Sequence, residues 1–219
     1  MDCTVNLNTP PSRTYLIVNE VANAATHGIG FVLSITGLVF LVLRAADTGE
    51  TLRIVSYSVY GTTLILLYLF STLYHSLTFT RAKTVFRIFD HSGIFLLIAG
   101  TYTPLSLLVI SGVLGWIIFA VIWALAVLGI VYKSIWIGKH QHISTVFYVL
   151  MGWLCLVCIS RIYLGLGFSG FALLLAGGVS FTLGAVIYCL KQVKFIHVVW
   201  HIFVLAGTIL MYFSILNYS

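Results

Sequence analysis

The chain has 219 residues, of which 61% are hydrophobic and only 7% are charged. Because soluble domains carry about 25% charged residues, this composition excludes a soluble globular protein and indicates an integral membrane protein. The formal net charge of +6 comes from lysines and arginines in loops at a membrane surface. With no soluble domain to present a basic face, nucleic acid is excluded as a partner.

The hydrophobic segments predict an all-α integral membrane protein, a seven-transmembrane helix bundle. Residues 1–19 are polar and contain Pro10-Pro11, so we expect a short cytoplasmic segment and no cleavable signal peptide. One membrane-spanning helix requires about 20 apolar residues. Such segments follow in chain order at about 21–43, 54–76, 86–110, 113–132, 143–162, 168–190 and 196–216. The loops between them are too short for a further domain, so residues 20–219 are predicted to form a single domain.

The distribution of basic residues predicts the orientation of this bundle. With seven crossings, eight of the eleven lysines and arginines lie on the same side as the N-terminus and three lie on the opposite side. Cytoplasmic loops carry the excess of basic residues in membrane proteins. The N-terminus is therefore predicted to be cytoplasmic and the C-terminus to lie outside.

Polar residues that are rare in membrane-spanning helices form four short clusters near the predicted helix ends. The clusters are Glu20/Asn23/His27, Ser71/His75, Asp90/His91 and His197/His201. An odd-numbered helix starts on the cytoplasmic side and an even-numbered helix ends there, so all four clusters fall at the cytoplasmic end of the bundle. Ionisable residues within a membrane span are costly and indicate a functional site.

The spacing of these residues predicts a metal site, with zinc as the expected ion. Ser71 and His75 are four residues apart on one helical face, and so are His197 and His201. The predicted ligands are His75, His197 and His201, a set that leaves the fourth zinc position for water, as in catalytic zinc sites. Asp90 is predicted to accept a proton from that water or to orient it. Ser71 is predicted to donate a hydrogen bond to a ligand or to a developing oxyanion.

Other interpretations of these residues remain open. His27 is a further ligand, a hydrogen-bonding partner of Asp90 or a helix-packing residue. Glu20 and Asn23 are alternative ligands or partners of ligands, and Glu20 also fits an acidic residue in the first turn of a helix, where negative charge is favoured. An isolated interfacial histidine is more often an ordinary polar residue, and imidazole also suits copper, iron and nickel.

Several of these residues stand in motifs that resemble a known family. The motifs are Glu20-x-x-Asn23-x-x-Thr26-His27-Gly28, Ser71-x-x-x-His75, Asp90-His91-Ser92-Gly93-Ile94, Gly100-Thr101-Tyr102-Thr103-Pro104 and His197-x-x-x-His201. In combination they resemble the bacterial haemolysin III family, within the progestin and adipoQ receptor (PAQR) superfamily, which also looks related to alkaline ceramidases. The resemblance covers the chain from about residue 19.

This resemblance implies a seven-helix bundle in the plasma membrane of a bacterial cell, with a zinc ion inside the membrane near the cytoplasmic leaflet. It implies that His75, His197 and His201 hold the zinc, and Asp90 and Ser71 match the family's aspartate and serine. The receptors of the superfamily carry a long N-terminal cytoplasmic region, and no such region precedes the first predicted helix here. That difference argues against signalling of the hormone-receptor kind.

Three functions are compatible with these features. The first is a zinc-dependent hydrolase of a lipid amide or ester, similar in chemistry to a ceramidase, with membrane lipid as its substrate. The second is a regulator or receptor of membrane state in which zinc holds helices together. The third is a pore-forming haemolysin that causes cytolysis, which is disfavoured because the hydrophobic spans suit residence in the protein's own membrane. The sequence does not specify the substrate or the oligomeric state.

Overall fold

The computed structural model describes residues 12–136, 141–189 and 193–219, and this part of the chain contains helices and no strand. The helices are α1 (Arg13–Ala46), α2 (Thr51–Ser76), α3 (Lys83–Pro104), α4 (Gly112–Ile135), α5 (Gln141–Trp153), α6 (Ile159–Tyr188) and α7 (Ile196–Tyr218). A π-helix (Leu105–Ile110) continues α3, and a 3₁₀-helix (Leu154–Cys158) joins α5 to α6. The prediction of an all-α protein is confirmed.

Six helical segments of the described chain are long and apolar enough to cross a membrane. They are Arg13–Ala46, Thr51–Ser76, Lys83–Ile110, Gly112–Ile135, Ser144–Tyr188 and Ile196–Tyr218. Large apolar side chains cover the outside of the bundle, and Val32, Leu128 and Leu164 are each more than half exposed. Tyrosines such as Tyr57 and Tyr60 are instead buried inside. This distribution is the one expected of a protein whose surface faces lipid.

The segment Ser144–Tyr188 folds back on itself. Its 45 residues would be about 67 Å long as one straight helix. However, the indole Nε1–H of Trp153 donates to Thr182 Oγ1 at 2.9 Å, and in a straight helix these residues would be about 43 Å apart. The reversal occurs at Gly167, whose φ of 66° and ψ of 179° are not helical. This position lies between the predicted fifth and sixth helices.

Helix α1 begins at Arg13, whereas the apolar pattern predicts a start near residue 21. The side chain of Ser12 caps the helix, because its Oγ accepts a hydrogen bond from the backbone N–H of Tyr15 at 3.2 Å, and a capping serine stabilises a helix start in a polar segment. The first turn of α1 holds no acidic residue. The interpretation of Glu20 as a first-turn residue is therefore wrong, since Glu20 lies in the helix interior.

A glycine allows α1 to pack closely on α2. A Cβ atom added to Gly30 would lie 2.4 Å from the Tyr68 ring, which is far inside van der Waals contact. Tyr68 is buried, and its hydroxyl is hydrogen-bonded to Thr208 Oγ1 of α7 at 2.5 Å. Small residues allow such close approach between membrane helices. This contact brings α1, α2 and α7 together at the part of the bundle that contains the histidines.

Candidate metal centre

Three histidines from two helices converge at one end of the bundle. His75 lies in the last turn of α2, and His197 and His201 lie in the first two turns of α7. One ring nitrogen of each lies within 4.8 Å of the others. His75 and His201 are buried, with 4% and 1% of their surface exposed, and His197 is half-buried. Three imidazoles in this arrangement can hold one metal ion.

The orientation of His75 leaves one ring nitrogen free for an ion. Its Nδ1 lies 2.7 Å from Glu20 Oε2 of α1, and because an ionised carboxylate only accepts hydrogen bonds, Nδ1 carries the proton. Its Nε2 is buried and has no hydrogen-bond partner among the described residues. Histidine ligands of metals commonly donate their other ring N–H to a carboxylate in this way.

His201 is oriented by α1 as well. Its Nδ1 lies 3.3 Å from both Thr26 Oγ1 and the backbone carbonyl oxygen of Asn23. The Thr26 hydroxyl donates its own proton to carbonyls of α1. His201 Nδ1–H is therefore the donor to both oxygens, and this tautomer leaves the lone pair of Nε2 available for a metal ion.

Buried polar atoms without partners surround the three histidines, and this observation tests whether a metal ion fits. Within the described chain, no hydrogen-bond partner is found for either ring nitrogen of His27, for the amide of Asn23 or for the Ser71 hydroxyl. His27 is also stacked on His201, with ring centroids 3.5 Å apart. Unsatisfied buried polar groups are rare in native proteins and point to an ion or ordered water nearby. The residues present thus fit a bound metal ion.

The structure gives different surroundings to the two predicted catalytic residues, Ser71 and Asp90. Ser71 is fully buried one turn before His75. Asp90 lies on the wall of the cavity described below, which also contacts His27, His197 and His201. Asp90 Oδ2 lies 3.4 Å from His91 Nδ1, and no hydrogen bond joins Asp90 to a candidate ligand within the described residues.

Two cavities meet at the candidate metal centre. The first, here called the apolar cavity, has a volume of about 190 Å³ and extends between α3, α5, α6 and α7. The second, here called the polar vestibule, has a volume of about 180 Å³ and is lined by Glu20, His75 and Arg87 among others. His91, Tyr188 and His197 line both cavities. The centre therefore lies between a polar space and a mainly apolar one.

Two residues that the sequence analysis did not assign to the site also lie here. Tyr188, at the end of α6, lines both cavities. Lys133 is 2% exposed and lines the apolar cavity, although it was counted among the loop charges. Lys133 directly follows the predicted fourth helix, 113–132, and such a position gives no signal of burial because burial depends on how α4 is rotated against its neighbours.

Comparisons with known proteins agree with the motifs. The model of the family described as "Haemolysin-III related" matches residues 15–212, a range that contains every residue of the candidate metal centre. The chain is 45% identical over 205 residues to "Hemolysin-3" of Bacillus cereus, covering 94% of both chains. It is 44% identical over 204 residues to "Hemolysin-3 homolog" of Bacillus subtilis, covering 93% of this chain and 96% of the relative. Human "Monocyte to macrophage differentiation factor" is 28% identical over 205 residues, which cover 91% of this chain and 84% of the relative.

Proposed function

Because the chain belongs to the haemolysin-III-related family, we propose that it is a zinc-dependent hydrolase that cleaves an amide or ester bond of a lipid within a bacterial plasma membrane. The observation that carries this proposal is the convergence of three histidine nitrogens at the polar end of the apolar cavity. A reaction centre in this position meets the acyl linkage of a lipid on one side and water on the other.

The topology that supports this function has seven membrane crossings. The segment Ser144–Tyr188 is more than twice as long as the hydrocarbon core of about 30 Å, and its reversal at Gly167 divides it into two crossings. With the N-terminus in the cytoplasm, as the distribution of basic residues favours, the candidate metal centre faces the cytoplasmic leaflet. The polar vestibule then opens toward the cytoplasm and supplies water.

The zinc ligands in this proposal are His75, His197 and His201. Zinc bound by three imidazoles acts as a Lewis acid and acidifies water. The role of Glu20 is to fix the ring of His75, and the role of Thr26 is to fix the ring of His201, through the hydrogen bonds to their Nδ1 atoms. These partners set the tautomers that present Nε2 to the ion.

Asp90 and Ser71 supply the proton transfer and the hydrogen bonding of the reaction. Asp90 accepts a proton from the attacking water as its oxygen bonds to the carbonyl carbon, and delivers the proton to the leaving nitrogen or oxygen when the acyl bond breaks. The buried hydroxyl of Ser71 donates a hydrogen bond to the developing oxyanion or to a ligand. The apolar cavity holds the acyl chain and excludes water from it.

The proposal is tested by the variant Asp90→Ala in purified protein supplied with lipid amides and esters. We expect turnover to be abolished while the bound metal is retained, since Asp90 is not among the three clustered histidines. Control substrates lacking the amide or ester bond should release no product. Unchanged hydrolysis in Asp90→Ala would exclude the role assigned to this carboxylate, and absence of hydrolysis in the wild type across the substrate panel would contradict the hydrolase function.

A structural role for the metal is the second candidate, and one observation favours it. The candidate centre joins α2 to α7, and α1 holds the rings of His75 and His201. A metal ion in this position would hold α1, α2 and α7 together, and a regulator or receptor of membrane state requires such a structural role of the metal. Chelation should then lower the unfolding temperature strongly while no lipid is hydrolysed. If chelation stops hydrolysis with little change in the unfolding temperature, the metal is catalytic.

The names of the two Bacillus relatives suggest a third candidate, a haemolysin that forms pores and causes cytolysis. Leakage of a dye from sealed liposomes containing the purified protein tests it. Leakage that survives loss of all three candidate ligand histidines would favour a pore over metal chemistry. Liposomes that stay sealed at protein densities giving full lipid hydrolysis would exclude it.

A further inference from the structure

Lys133 is a buried cation that the proposed reaction does not use. It lies in the last turn of α4, with only 2% of its surface exposed. Its Nζ donates a hydrogen bond to Ser144 Oγ at 2.9 Å. A buried ammonium group is costly unless it is paired, and one neutral hydroxyl compensates only part of that cost.

No acidic residue of the described chain neutralises this charge. Glu20, Asp47, Glu50 and Asp90 all lie more than 4.0 Å from Lys133 Nζ, since no ion pair within that limit involves it. Asp90 instead lies beside His91. Arg87 on α3 is close enough for its like charge to repel Lys133. An ammonium group has three donors, and among the described residues the bond to Ser144 uses one of them, which leaves two for a ligand.

The cavity beside Lys133 is long and mainly apolar. Lys133 and Ser144 both line the apolar cavity. Along α7 its lining extends from His197 to Met211, a rise of about 21 Å. Each leaflet contributes about half of the hydrocarbon core of ~30 Å, so the cavity exceeds the length of one acyl chain. A cation at one end of a long apolar space matches an amphiphile with one chain and an anionic head.

We propose that Lys133 binds the anionic head group, a carboxylate or a phosphate, of a single-chain lipid whose chain occupies the apolar cavity. This assignment rests on the proposed function for the lipid class, but it concerns binding and requires no turnover. Lys133 would hold the head group in the cavity that His197 and His201 also line, so the charge of the ligand and not only its chain length determines selection. A charge-assisted hydrogen bond in a buried site is one of the stronger polar contacts.

The test compares three ligands with the same chain: hexadecyl phosphate, hexadecanoate and the neutral hexadecanol. Binding is measured directly with radiolabelled ligands in detergent-solubilised protein as purified, and the Lys133 variants described next separate a head group on Lys133 from one on the metal. We expect one or both anionic ligands to bind at least roughly tenfold more tightly than hexadecanol. The tighter of the two identifies the head group. Equal affinity for all three ligands, or no binding, would overturn the proposal.

Variants of Lys133 test whether this residue causes the preference for anionic ligands. Lys133→Met and Lys133→Gln should bring anionic ligands to the affinity of hexadecanol, while Lys133→Arg should retain the preference. Lys194→Met is the matched control, because Lys194 is exposed and stands outside the apolar cavity. Retained hexadecanol binding shows that the cavity of each variant is intact. A preference for anions that survives in Lys133→Met and Lys133→Gln would overturn the proposal. Hydrolysis is not measured, so the binding result stands or falls separately from the enzyme activity.

Discussion

The hydrogen bond between Glu20 and His75 predicts that Glu20, although it is not one of the three candidate ligands, increases the metal affinity of the site. Glu20 Oε2 lies 2.7 Å from His75 Nδ1, a short charge-assisted contact. The Glu20 side chain is 23% exposed and that of His75 is 4% exposed, so solvent screens the pair only in part. Loss of such a carboxylate partner typically costs 10–100-fold in metal affinity, or about 1.4–2.7 kcal/mol.

Glu20→Ala is therefore expected to weaken zinc binding by about tenfold or more, and Glu20→Gln by less because its amide oxygen still accepts a hydrogen bond. Competition with a chelator of known affinity measures the change in purified protein. Glu50→Gln is the matched control, since Glu50 is 59% exposed and pairs with Arg53 away from the histidines. Zinc affinity equal to that of the wild type in Glu20→Ala, or an equal loss in Glu50→Gln, would refute the reasoning.

Two further predictions concern packing and pH. Gly30→Ala should destabilise the protein by about 1–3 kcal/mol, because the new Cβ would lie 2.4 Å from the Tyr68 ring. Gly28→Ala should be nearly neutral, because its Cβ would lie 3.8 Å from Thr72. Thermal unfolding in detergent compares the two variants, and equal stability would contradict the packing of α1 on α2. Acidification should weaken metal binding, since protons compete with the ion for the same imidazole nitrogens. A chelator competition series across pH checks the sign, and zinc affinity that stays constant or rises as the pH falls would exclude histidine ligands.

The three candidate ligands of the metal centre could be predicted from the sequence by combining helical spacing with the predicted membrane topology. The two i, i+4 pairs predict which residues share a helix face, and the parity of the seven predicted crossings puts His75 at the same end of the bundle as His197 and His201. The structure brings these three together. His27, for which three interpretations were open, is stacked on His201 but is not among the three clustered histidines.

The contacts that orient the site did not follow from the sequence, because they depend on how helices rotate against each other. The apolar pattern begins near residue 21 and gives no sign that α1 starts at Arg13. The bond of Glu20 to His75 joins residues 55 positions apart in the sequence. Lys133 stands near the end of an apolar segment, where a solvated and a buried lysine look alike. Only the packing of α4 against the start of α5, where Nζ meets Ser144, distinguishes them.

Metal stoichiometry of the purified protein tests the central claim most directly. Elemental mass spectrometry should find about one zinc per chain, the occupancy of a single three-histidine centre. His75→Ala, His197→Ala and His201→Ala should each lose the zinc, while His91→Ala, which lies outside the group of clustered histidines, should retain it. A well-folded preparation without metal, or zinc retained in all three ligand variants, would contradict the metal centre and the hydrolase function that depends on it.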